Sequence, residues 1–371
     1  MLTYKILDSV NQIDRAEWNL IFGDIPEGYG FFKTIEESNL EGFSFSYVLI
    51  CEGKDILLIA SLFSADFNLD IAAKGTVQKL ILCIRKFLPR FLIVKTLFCG
   101  SPFGENGILG IKKDAQDKEA LICALTKIMK IICKEKNIPL VMFKDFLKES
   151  VSILEPLQTQ GFFMVEGFPA VVTELPFHSL DDYFKSLSHN TRKDLRRKIK
   201  KAQSAKAIEV KVINNAEDEI FEIYRLYLNT YNAAGVRFEK LTPEFFINIG
   251  RNMSTQTKFF LYYFGDKLAA FNLCFVNKDT LIDKFIGFDY NIAYKYNLYF
   301  FSWCYNIEWC LKNSMHYYQV GQTDYHPKIR LGGRLVPLYA YLKHGNPVLN
   351  LILKLLAKVL KPANFDETIN V

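Results

Sequence analysis

Three strand-like runs, Lys258 to Phe264, Ala269 to Asn277 and Leu281 to Tyr290, follow one another with only Gly265-Asp266 and Asn277-Lys278-Asp279 as connecting turns. Connections that short join antiparallel neighbours, so this stretch must fold as a meander. An apolar helix from Asn297 to Leu311 follows, then strands at Tyr317 and Val336. Ahead of the meander the pattern reads strand Val171 to Pro176, helix Leu180 to about Gln203, strand Ile208 to Ile213 and helix Glu217 to Asn232. A further helix opens at Thr242-Pro243-Glu244, where a capping hydroxyl, a proline in the first turn and an early carboxylate each suit an amino-terminal end.

The first half shows a comparable mixture. Strands are expected at Leu2 to Asp8, Phe45 to Cys51 and Ile56 to Phe63, the last two joined by the turn Glu52-Gly53-Lys54-Asp55. Leu121, Leu125, Ile128, Met129 and Ile132 give helical spacing to Lys118–Lys134, and a strand is expected from Pro139 to Phe143. A chain of 371 residues is long for one core, so two lobes are expected. The expected boundaries are 1–165, 166–345 and an amphipathic carboxyl-terminal helix with its tail at 346–371, in an α/β (α+β) class.

Composition narrows the function classes. With 32 Phe and 19 Tyr the chain is suited to packed sheets rather than disorder. The eight cysteines lie mostly within apolar runs without a Cys-x-x-Cys pair, and the five histidines have no ligand spacing, so buried reduced thiols and no structural zinc are expected. The amino terminus reads as a strand rather than a leader peptide, which points to a cytoplasmic protein. Val77–Phe98 is broken by Lys79, Arg85, Lys86, Pro89, Arg90 and Lys95, and each central cation would cost about 2.5–3.5 kcal/mol in a bilayer, so it is expected to be a core helix and strand. The helix Pro347–Lys361 places Val348, Ile352, Leu355, Leu356 and Val359 opposite Asn350, Lys354, Lys358 and Lys361. Docking on the second lobe is expected for it, with peripheral membrane contact as the other reading.

Two polar segments concentrate chemistry. Gly321-Gln-Thr-Asp-Tyr-His-Pro-Lys-Ile-Arg-Leu-Gly-Gly333 holds a carboxylate, a phenol, an imidazole and fixed cations between two apolar elements. Ser186–Lys201 carries Arg192, Lys193, Arg196, Arg197, Lys198, Lys200 and Lys201 against one Asp194. Like charges four apart repel on a helix, which suits a polyanion partner such as a nucleotide, tRNA or an anionic surface.

These segments resemble the FemAB-like acyltransferases of the GNAT superfamily. Leu187, Ser188, Arg192, Leu195 and Arg196 match a "Leu-Ser-x-x-x-Arg-x-x-Leu-Arg" helix start; Gly321, Tyr325, Lys328 and Gly332 match a late "Gly-x-x-x-Tyr-x-x-Lys-x-x-x-Gly" loop. The resemblance implies two GNAT-like lobes, each a mixed, largely antiparallel sheet flanked by helices, the second bearing the site. It also implies transfer from an activated donor to an amine, with acyl-CoA as the expected co-substrate and no covalently held cofactor. Aminoacyl-tRNA acting on a cell-wall precursor is the alternative donor, and non-catalytic binding of an anionic ligand a third reading. In this scheme Asp324 is the base or amine anchor, Tyr325 an acid for the leaving group and Lys328 a charge stabiliser. Arg192, Arg196, Gln322, Asp283 and Asp289 are expected to bind substrate, the two aspartates sharing one strand face by their even spacing. The phosphate anchor of a GNAT lobe is a glycine-rich turn; the corresponding Asn291–Asn297 has no glycine, leaving Lys295, Asn297 and the helix amino terminus to hold phosphate.

Overall fold

The computed structural model describes residues 1–203, 208–235 and 237–370. The chain forms two compact units: Met1–Glu36 with Leu40–Pro169 and Pro337–Val371, and Ala170–Val336 with Glu37–Asn39. The strands of the first half are β1 (Leu2–Leu7), β2 (Ser44–Glu52), β3 (Asp55–Asn68), β4 (Ile93–Cys99), β5 (Gly110–Ile111), β6 (Leu140–Leu147) and β7 (Phe163–Glu166). Those of the second unit are β8 (Ala170–Glu174), β9 (Ile208–Ile213), β10 (Thr257–Phe264), β11 (Lys267–Asn277), β12 (Thr280–Phe288), β13 (Tyr317–Val320) and β14 (Arg334–Val336); β15 (Leu338–His344) comes last.

The first sheet runs β1-β2-β3-β4-β6-β15-β7 with β5 on β3, and the second runs β14-β8-β13-β12-β11-β10-β9. Each sheet has one parallel pair, β4 with β6 and β12 with β13, among antiparallel neighbours. A parallel pair needs a long crossover, which helices supply in both units: Lys118–Glu135 in the first, Tyr290–Tyr296 and Leu298–Lys312 in the second. The expected two lobes of mixed, largely antiparallel sheet and flanking helices are therefore present.

Burial of apolar stripes holds each unit together. Leu121, Ile122, Leu125, Ile128, Met129 and Ile132 of helix Lys118–Glu135 pack with Val48, Ile50 and Leu58 of the first sheet, each such side chain contributing about 1.5–3 kcal/mol over the exposed state. In the second unit, helices Ile220–Ala233 and Pro243–Asn252 cover one sheet face, with Phe246 on Phe271 at 5.8 Å and Phe245 on Phe285 at 5.7 Å, edge to face. Helix Leu298–Lys312 covers the other through Trp309 on Phe260 at 5.4 Å and Tyr305 on Tyr262 at 5.9 Å. Gly287 lets β12 approach the first of these helices, since a Cβ there would lie 2.7 Å from the backbone carbon of Leu226.

Several expectations change. The helix expected from Leu180 to Gln203 is two, Leu180–Ser186 and His189–Gln203, because the Ser188 hydroxyl accepts from the Thr191 N–H at 3.2 Å and caps a new start. The strand Val336–Leu342 does not close the second sheet. β15 inserts between β6 and β7 of the first, so the expected 166–345 boundary is corrected to a return at Pro337. The last helix, Pro347–Val359, goes with it: Asn350 donates to the Gly161 carbonyl at 3.0 Å, and this helix belongs to the first unit rather than the second. Local sequence specifies a strand's faces but not its partners, and β15 finds its ladder about two hundred residues upstream.

A truncation tests this return. A chain ending at Val336 leaves β6 and β7 without the strand between them, and it should lose the cooperative urea transition of the full chain while gaining aggregation. Retention of a full-length transition would contradict the assigned ladder.

Candidate active site

The parallel strands β12 and β13 pair from Thr280 with Tyr317 to Asp283 with Val320 and no further. Beyond that point β12 continues to Phe288, while the other chain leaves as the segment 321–333. Asp283 thus stands where two parallel strands part, the kind of crevice at strand ends where α/β sheets bind ligands.

A bulge decides which way Asp283 points. Leu273 opposes Phe285 and Cys274 opposes Asp283, so Lys284 is the extra residue. One inserted residue reverses the alternation of faces. Phe285 goes to the helix Pro243–Asn252 side, while Asp283 joins Asn272 on the side of helix Leu298–Lys312. The expectation that Asp283 and Asp289 share a face is corrected accordingly. Asp289 caps the helix Tyr290–Tyr296, accepts from Asn291 N–H at 3.2 Å and pairs with Lys267 at 2.6 Å. Burial raises its pKa, yet Lys267 outweighs that with the capping bonds and the carboxyl ends below its ordinary value.

Asp283 is half-buried and accepts from Asn272 Nδ2 and from the Tyr318 hydroxyl, both at 2.7 Å. The Tyr318 oxygen in turn accepts from Asn306 Nδ2 at 3.1 Å, and Asn306 Oδ1 accepts from the Tyr262 hydroxyl at 2.6 Å. Burial pushes the Asp283 carboxyl up to about 6, against the opposing effect of Asn272, Tyr318 and the charge of Lys328. A carboxylate poised there can exchange a proton near neutral pH. The Tyr299 hydroxyl is buried without a hydrogen-bond partner, and after burial itself the charges of Asp283 and Asp324 are what raise its pKa. Asp283 thus feels the charge of Lys328, and Tyr299 the charges of Asp283 and Asp324.

The segment 321–333 is a clasp closed on itself. Lys328 is buried, and its ammonium donates to the carbonyls of Gly321 at 2.7 Å and Thr323 at 2.5 Å. Tyr325 is buried too and donates to the Gln322 carbonyl at 2.5 Å, so the phenol expected to serve the leaving group is a support of the turn. Asp324, with φ +51°, precedes the short helix Tyr325–Arg330 and stays exposed, as does His326. Gly333 has no room for a side chain, its Cβ position lying 2.6 Å from Val171 Cγ1. Tyr183 anchors the far end by donating to the Leu331 carbonyl at 2.8 Å while accepting from Trp303 Nε1 at 3.0 Å.

The basic helix borders this clasp. Asp194 lies 3.9 Å from Arg330 and pairs with Arg197 at 2.7 Å and Lys198 at 2.8 Å; Lys198 also sits 3.5 Å above the Phe300 ring. Arg192 donates to the Lys185 carbonyl at 3.2 Å, and Arg196 pairs with Asp181 at 2.6 Å. The two motif arginines thus bind helix Leu180–Ser186 to its successor. The expected phosphate turn is a helix instead: Asn297, φ +54°, donates its N–H to the Ala293 carbonyl, and Lys295 lies over the Tyr296 ring at 5.3 Å. Asn272, Cys274, Tyr299, Asn306 and Tyr318 were not expected in the site, although the asparagines within Phe271–Phe275 and Trp303–Trp309 were visible as polar intrusions in apolar runs.

The sequence profile of the FemAB-like family, described as peptidoglycan biosynthesis/recognition, matches residues 87–352. The chain belongs to the FemAB-like family. No curated protein matches it in sequence. Among solved structures, FemX covers 94% of this chain and 100% of its own at 12% identity and TM-score 0.55. A tandem GNAT protein from the clavulanic acid biosynthesis pathway covers 94% and 99% at 9% identity and TM-score 0.54. L-PGS from Bacillus licheniformis covers 91% and 98% at 9% identity and TM-score 0.53. At such identities these structures establish that the FemAB-like chain shares their fold.

The raised Asp283 carboxyl has a signature in stability. Its folded pKa lies above the unfolded value, so the folded state holds an extra proton between pH 3.8 and about 6, and stability falls as pH rises through that window. Asp283→Asn removes this dependence. The melting temperature of the variant relative to the parent should climb between pH 4 and pH 7, whereas a constant difference would show that Asp283 titrates normally.

Proposed function

We propose that this FemAB-like protein transfers an aminoacyl group from aminoacyl-tRNA to an amine of a peptidoglycan precursor. The observation that carries the reading is Asp283, half-buried at the parting of two parallel strands, with its pKa raised to about 6. In the proposed step Asp283 takes a proton from the acceptor amine as its nitrogen attacks the ester carbonyl of the donor. An amide C–N bond forms, the ester C–O bond breaks, and the departing tRNA hydroxyl oxygen takes a proton from Tyr299. Lys328 holds the clasp in register and lends positive charge toward the tetrahedral oxygen. Asp324 orients the incoming neutral amine for attack.

Two features favour tRNA over acyl-CoA as donor. The segment Tyr290–Tyr296 is helical where a glycine-rich phosphate cradle would serve coenzyme A. The exposed Lys193, Arg197 and Lys200 on helix His189–Gln203 supply cations spaced to follow a nucleic-acid backbone. The family's description supports a cell-envelope acceptor.

Purified protein should be incubated with a peptidoglycan-precursor peptide bearing a free amine, and in separate reactions with charged tRNA, acetyl-CoA or longer acyl-CoAs. The expected product is one aminoacyl residue heavier by mass spectrometry, from charged tRNA alone, with Asp283→Asn lowering turnover about 100-fold or more. Transfer from an acyl-CoA and none from tRNA would overturn the donor; an unchanged rate for Asp283→Asn would remove the base.

A further inference from the structure

We propose that the first unit of this protein docks on an anionic membrane surface through two exposed apolar elements. One is the helix Pro347–Val359. Its inner side is formed by the half-buried Leu353, Leu356, Ala357 and Leu360. Its outer side exposes Val348 67%, Leu351 60%, Ile352 44%, Leu355 57% and Val359 60%, positions separated by three or four residues that make one stripe. Lys354 and Lys358 are both exposed, and each precedes a stripe residue, Leu355 and Val359, so the cations line one edge of the apolar stripe.

The second element is the helix Gly75–Arg85 with the turn after it. Instead of the core position expected for it, it shows Leu80 61%, Leu82 52%, Phe87 82% and Leu88 60% exposed. The ion pair of Lys74 with Asp366 at 3.2 Å ties the start of this helix to the chain just beyond the other. Both elements therefore belong to one region of the first unit.

Charge selects the partner. Residues 74–90 contain Lys74, Lys79, Arg85, Lys86 and Arg90 with no acidic residue, and residues 347–361 contain Lys354, Lys358 and Lys361 with none. Arg85 and Arg90 are held by Asp70 and Asp66, which leaves lysines to border the apolar side chains. A second copy of the same surface would bring like charges together, whereas anionic headgroups complement them. Long lysine side chains lie along an apolar contact and lift their ammonium groups to the headgroup level. No described helix is long and apolar enough to cross a membrane, so the contact is one of lying on the surface.

Flotation of the full chain with vesicles of phosphatidylglycerol and phosphatidylcholine tests this directly. Binding should be at least about tenfold stronger than to phosphatidylcholine alone and should weaken with salt. Leu351→Gln with Leu355→Gln, and separately Phe87→Ser with Leu88→Ser, should each weaken it while leaving the melting temperature unchanged, since these side chains are exposed. Lys354→Glu with Lys358→Glu should abolish the preference for anionic lipid. Absence of vesicle binding, or binding indifferent to all three pairs, overturns the proposal. So does a dimer, measured by light scattering, that these substitutions dissolve while vesicle binding is unaffected.

Discussion

A carboxylate held half out of water at the fork of two parallel strands is the constraint on which the second unit is built. Asp283 would be costly to bury alone, and the neighbouring strands and crossover helix supply what it needs: Asn272 from β11, Tyr318 from β13, and Asn306 behind Tyr318. The bulge at Lys284 turns the carboxylate toward these groups. Without that extra residue Asp283 would face the Phe245 and Phe246 side, where it would find aromatic rings. The same bonds that keep the charge tolerable restrain it less than burial raises it, which leaves a group able to gain and lose a proton near neutrality.

The first unit repeats the architecture and resolves its fork differently. β4 and β6 pair in parallel from Thr96 with Leu140 to Cys99 with Phe143. The loop 100–107 then folds back, with Gly107 N–H donating to the Asp145 carbonyl at 2.5 Å and no space for a side chain at Gly107 against Phe146. The corresponding opening is thus filled by the unit's own backbone. The strand that completes this sheet, β15, comes from the far end of the chain, so the first unit is finished only after the second has been synthesised.

Much of this could be read from the chain. The meander, the helix start at Thr242, where the hydroxyl accepts from Phe245 N–H at 3.3 Å, and the dense polar turn all follow from local rules of turns and caps. The residues around Asp283 were harder to see. Tyr318, Asn306 and Tyr299 sit in apolar runs and look like core until the strands are aligned, and parity arguments fail at a bulge that leaves no mark in the sequence. Lys328 and Tyr325 stood out in the sequence for their chemistry, and the structure adds a local role, since their polar groups satisfy carbonyls of their own turn. The helix Pro347–Val359 announced an apolar stripe, but Val348, Ile352, Leu355 and Val359 of that stripe are exposed while Leu353, Leu356 and Ala357 form the inner side, and the unit it docks on depended on where β15 found its ladder.

In the proposed mechanism Asp283 is the base, its proton affinity raised by burial and held in check by the bonds from Asn272 and Tyr318. The most direct measurement is the pH dependence of kcat/KM for single aminoacyl transfer in the parent and in Tyr318→Phe. The parent should gain rate tenfold per pH unit up to about pH 6 and then level. Loss of the Tyr318 hydroxyl removes a bond to the charged form, so the break should move to higher pH with the plateau largely kept. An acid limb at the same pH in both proteins would contradict the account.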